Sequence, residues 1–95
     1  MKEKTWHPKE GVRLREIGKQ YMIVEASEEN VNMSDVYSLN ETAADLWKQL
    51  ETGNSTATGL AEYLCKHYET HPATALHDVE RQLAEWESFG LLLTR

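Results

Sequence analysis

The chain has 95 residues, of which 40% are hydrophobic and 27% charged, with a formal net charge of −6. That is enough for one domain, residues 1–95, with a modest core and no need of staples. No apolar run approaches the ~20 residues of a membrane span, and the single Cys65 excludes an intramolecular disulfide.

Residues 1–10 are polar and charged, and Pro8 breaks regular structure, so this stretch reads as an N-terminal arm. It lacks the apolar stretch of a signal peptide, which makes a reducing, cytoplasmic setting the expectation. Trp6 is expected to tuck onto the domain. Val12 and Leu14 alternate with Arg13 and Arg15 in a first strand, before Ile17 slips phase. Gly18-Lys19 makes a tight turn into a second strand, Gln20 to Glu25, whose continuous apolar run predicts burial on both faces or a central place in the sheet. Ala26 to Ser34 reads as a loop.

From Asp35 to Trp47 the period changes. Val36, Tyr37 and Leu39 suit a third strand, Asp35 to Leu39. Asn40 then caps a helix over 41–51, whose apolar residues fall at 43, 46, 47 and 50. Gly53 stands just past its end, where a left-handed residue is wanted. Ser55 or Thr56 caps a second helix with Leu60, Ala61, Leu64 and Tyr68 on its apolar face, and Gly59 weakens its first turn. Pro72 fits the first position of a third helix, whose core stripe reads Leu76, Val79, Leu83 and Trp86. Gly90 ends it, and Leu91 to Leu93 must pack back on the sheet or the first helix. The order β-β-β-α-α-α predicts an α+β fold: a three-stranded antiparallel sheet followed by three helices.

Most chemistries fail on these residues. Cys65, His67, His71 and His77 lie close in sequence, but Cys65 and His67 point to different sides of a helix, and Pro72 separates His67 from the third helix. No metal or cofactor site is completed. Cys65 beside Leu64 reads as a buried, inert thiol. With no phosphate loop and no paired carboxylates, no catalytic residue is assigned and the chain reads as a non-enzyme.

The second and third helices could form a helix-turn-helix with the hairpin as a wing, which makes a nucleic-acid-binding or regulatory domain the alternative reading. Charge argues against it. Residues 1–20 carry +3, but residues 21–95 carry −9, and the third helix sets Asp78, Glu80, Glu85 and Glu87 against Arg81 and Gln82. Neither nucleic acid nor membrane is an expected partner. A peptide binder is left: the third strand, if it lies at the sheet edge, can accept a peptide as an added strand. Such edges also allow a homodimer.

The segment Tyr37-Ser38-Leu39-Asn40-Glu41-Thr42-Ala43-Ala44-Asp45-Leu46-Trp47 is followed by Gly53, Leu60-Ala61-Glu62-Tyr63-Leu64, Asp78-Val79, Leu83, Trp86 and Gly90-Leu91-Leu92. In order and spacing these residues resemble the PqqD family, the pyrroloquinoline quinone (PQQ) biosynthesis protein D-like chains, over about residues 11–93. The resemblance implies a winged-helix-like domain of the kind called a RiPP recognition element. It implies a peptide chaperone that binds the leader of a ribosomally made precursor peptide. It presents that leader to a modifying enzyme, often a radical S-adenosylmethionine enzyme. Carried onto this chain, the peptide-binding residues are Asp35, Val36, Tyr37, Ser38 and Leu39 on the strand, with Ala75, Asp78, Gln82 and Phe89 on one flank of the third helix. The family often has a large apolar residue where Gln82 stands, so this groove is more polar.

Overall fold

Residues 3–25 and 37–95 are described by a computed structural model of the chain; the loop expected over 26–34 and the strand residues Asp35 and Val36 lie outside them. The elements are β1 (Trp6–Pro8), β2 (Val12–Ile17), β3 (Gln20–Glu25), β4 (Tyr37–Leu39), α1 (Glu41–Glu51), α2 (Ala57–Tyr68), α3 (Pro72–Ser88) and β5 (Leu92–Thr94). Strands β2, β3 and β4 form an antiparallel sheet in that order. The α+β architecture of a three-stranded sheet followed by three helices is the one expected from sequence.

The apolar run of β3 has the central place its pattern predicted. Ile23 is fully buried on one face and Val24 is buried on the other. Leu14, Ile23 and Leu39 belong to the face that meets the helices, where α1 packs across all three strands. Arg13 and Arg15 point away from it and are exposed.

Each helix is set by a cap. Asn40 Oδ1 accepts from the Ala43 N–H at 2.8 Å, which starts α1 directly after β4. Thr56, of the two candidates, caps α2 by accepting from the Gly59 N–H at 3.0 Å. His71 caps α3, its Nδ1 accepting from the Ala73 N–H at 3.2 Å, and Pro72 takes the first helical position. Gly59 has a steric reason. A Cβ there would stand 2.3 Å from Asn54 Oδ1, and Asn54 is held by bonds from its Nδ2 to Gln49 Oε1 and the Gly59 carbonyl.

Four expectations need correction. The N-terminal arm is not irregular: β1 pairs antiparallel with β5, Trp6 opposite Thr94 and Pro8 opposite Leu92. Pro8 is tolerated because it ends a strand of a two-stranded ribbon. The tail 91–93 therefore packs on β1 and α3, with Leu92 buried and Leu93 exposed. Tyr68 is not core; it is 38% exposed. The α3 stripe is Ala75, Val79, Leu83 and Trp86, because Ala75 is fully buried and Leu76 stands outside it. Trp6 does tuck in and is buried, with Lys4 Nζ 4.6 Å from its ring centroid.

The largest fully buried side chains are Trp47 of α1 and Trp86 of α3. Their rings meet edge to face, centroids 5.2 Å apart. Truncating Trp86 to Ala should cost about 3–5 kcal/mol in urea denaturation, as expected for a large buried aromatic. Gly59→Ala should destabilise the protein despite alanine's better helix propensity. In an Asn54→Ala background the cost should shrink but not vanish, because the capping Thr56 Oγ1 would still stand 3.0 Å from that Cβ, and a double-mutant cycle reads the difference.

Candidate functional site

Strand β4 lies at the edge of its sheet. Tyr37, Ser38 and Leu39 pair with Ile23, Met22 and Tyr21 on one side, and among the described residues no strand pairs with the other. The unpaired N–H and C=O groups of such an edge accept an added strand. β4 runs straight into Asn40, and there a groove begins.

The groove has a volume of about 350 Å³ and lies between α1 and α3. Asn40, Thr42, Ala43 and Leu46 line it from the first turns of α1, and Leu64 from α2. Asp78, Arg81, Gln82 and Glu85 form its α3 wall. Positions 78, 82 and 85 fall on one helical face. Ala43 stands one turn before Trp47, and Gln82 one turn before Trp86. The two indoles hold the helices apart, and the smaller residues one turn away leave the gap between them unfilled.

Of the residues expected from sequence, Asp78 and Gln82 come together on the groove wall. Tyr37, Ser38 and Leu39 form the neighbouring edge strand, while Asp35 and Val36 lie outside the described residues. Ala75 is fully buried against the core, so it is not a groove residue. Its small side chain fits the close approach of α2 and α3, and Leu76, turned about 100° from it, is exposed at the border of that contact beside Ala61 and Cys65. Phe89 is 64% exposed at the C-cap of α3 and does not line the groove. Arg81 and Glu85 were missed, as were Asn40 and Thr42. Spacing from Asp78 could have found Arg81 and Glu85, at i+3 and i+7 on the same flank.

The groove is polar in an uncommon way. Gln82 Nε2 is buried and has no hydrogen-bond partner among the described residues. Asn40 Oδ1 is already engaged by the Ala43 N–H. Two acidic side chains and one guanidinium share the groove wall with Gln82.

Behind the groove, α1 is tied to α2. The Tyr68 hydroxyl donates to Asp45 Oδ2. That bond holds the proton on Tyr68 and pushes its pKa up to about 12, with burial and the Asp45 charge adding to it. Burial first, and Asp45 second, also raise Tyr63, whose ring stacks on His67 at 4.2 Å.

Two of the clustered histidines have structural partners. His67 Nδ1 lies 3.0 Å from the Tyr63 carbonyl, and His71 caps α3. Among the described residues no three His, Cys, Asp or Glu side chains converge on a point. Cys65 is half-buried rather than buried, and lines an apolar cavity of about 450 Å³ with Ala61, Pro72 and Leu76. No helix among the described residues is long and apolar enough to cross a membrane.

A family model for "Coenzyme PQQ synthesis protein D (PqqD)" matches residues 14–92. No functionally curated protein matches the chain significantly. Two solved structures share its fold. One, described as "TbiB1 in Complex with the TbiA(beta) Leader Peptide", is 16% identical with a TM-score of 0.72, over 90% of this chain and 93% of that one. The other, "Lasso peptide synthetase B1 complexed with the leader peptide", is 17% identical with a TM-score of 0.74, over 94% and 98%.

The Tyr68–Asp45 bond predicts a pH dependence. The folded pKa lies above the unfolded value of 10.0, so the bond's contribution is full below pH 10 and is lost as pH rises toward 12. Denaturation of wild type and Tyr68→Phe at pH 8, 10, 11 and 12 should show a stability gap that narrows over that window. A gap that stays constant would refute the assignment.

Proposed function

The chain belongs to the PqqD family, and from that premise we propose that it is a non-catalytic peptide chaperone, a RiPP recognition element that binds the leader segment of a ribosomally synthesised precursor peptide. The observation that carries this reading is the edge strand β4 running into the α1–α3 groove. The leader adds as a strand along residues 35–39, with main-chain hydrogen bonds supplying affinity. Its side chains on one face reach Asp78 and Gln82. Phe89 extends the contact beyond the end of α3, whereas Ala75 takes no part because it is core. The leader peptides in the descriptions of both solved relatives support the reading.

Nothing in the groove performs bond chemistry in this reading; the protein holds and presents. In the cytoplasm, residues 1–95 act as one peptide-binding domain that delivers the leader to a modifying enzyme of the radical S-adenosylmethionine type. Which peptide modification follows, PQQ synthesis or another, is a property of that partner. A homodimer formed through β4 would compete with the leader for the same edge.

Titration of the isotope-labelled protein with leader peptides encoded beside its gene should shift amide signals of residues 37–39 and 78–85. Shifts confined to residues 3–20 would sink the proposal. Duplex DNA at low salt, where the phosphate attraction is strongest, should leave the spectrum unchanged.

A further inference from the structure

The groove carries an unmet demand. Gln82 lines it, yet the Nε2 of that side chain is buried without a partner among the described residues. An unsatisfied buried amide is unfavourable, and a group that pairs with it on binding recovers that loss. Because Gln82 is only half-buried, rotation about its last torsion turns the amide to an occupant of the groove.

The neighbours decide which occupant fits. An apolar side chain would leave the amide unpaired and further dehydrated. A carboxylate would face Asp78 and Glu85. A cation, though drawn by Asp78 and Glu85, would be repelled by Arg81 and would offer no acceptor to Nε2. A neutral carboxamide avoids all three conflicts. Its carbonyl accepts from Gln82 Nε2, and its NH₂ donates to the Asp78 carboxylate, which stands one helical turn away on the same face. Having both a donor and an acceptor, it pairs with whichever atom of the Gln82 amide faces the groove.

We infer that the α1–α3 groove selects a leader segment carrying a carboxamide side chain, Asn or Gln, seated against Gln82 and Asp78. This rests on the leader-binding reading above and adds what that reading leaves open, the chemistry of the recognised residue. Gln82 is then the specificity-determining position.

A displayed library of random twelve-residue peptides, panned against the wild-type protein, tests both. Enriched peptides should share one Asn or Gln among strand-forming neighbours. Changing that residue to Leu in a synthetic copy should weaken binding roughly tenfold by fluorescence polarisation, the factor that one net hydrogen bond carries. Gln82→Leu should abolish that discrimination while raising the melting temperature, since it removes the unpaired amide. Gln82→Met gives the same readout if the leucine variant folds poorly. Enrichment of an apolar residue, with amide shifts still at 37–39 and 78–85, would overturn the carboxamide inference and leave leader binding standing. No enrichment, or shifts elsewhere, would overturn both.

Discussion

The edge-to-face contact of Trp47 with Trp86 sets the geometry on which the functional surface depends. Both rings are fully buried, and neither indole N–H has a hydrogen-bond partner among the described residues. Packing, not polar bonding, therefore holds them. An indole is rigid and bulky, so two of them in contact fix the separation of α1 and α3 within a narrow range. The groove is the space left where that separation meets the smaller Ala43 and the polar Gln82. In the proposed reading, affinity for a peptide and stability of the core share one contact.

Much of this fold can be read from the sequence where local chemistry decides. Asn40 marks the strand-to-helix junction because a cap needs only its own neighbours. Pro72, Gly53 and Gly90 mark helix ends for similarly local reasons. The sequence reading errs where partners distant in the chain decide. Leu76 outranks Ala75 in hydrophobicity, yet close packing of α3 on α2 admits the smaller residue. Tyr68 looks apolar by spacing, but its hydroxyl finds Asp45 on α1. Trp6-His7-Pro8 has little strand character by itself; it becomes a strand because residues 92–94 return beside it. The groove divides in the same way. Helical spacing places Asp78 and Gln82 together, but Asn40 and Thr42 join them only once the tryptophans have positioned α1.

Polarity in this groove has a cost, and the chain distributes it carefully. Asp78, Arg81 and Glu85 keep water access, while the buried donor is an uncharged amide whose desolvation is tolerable. A buried charge there would be far more expensive. In the proposed reading the wall discriminates by hydrogen bonding while the domain stays folded.

The ribbon of β1 and β5 has a topological consequence. Thr5 and Arg95 exchange backbone hydrogen bonds, 3.1 Å one way and 3.0 Å the other, so positions at opposite extremes of the sequence are spatial neighbours. The path of the backbone is almost a closed loop. A short tether between those positions would make it a true ring, and the ring could be reopened at the Gly18-Lys19 hairpin turn, remote in sequence from every groove residue. The same closeness lets the whole module be spliced into a surface loop of a larger protein at a single point. Peptide capture would then travel as a cassette, since β4 and the α1–α3 groove share no residue with the seam.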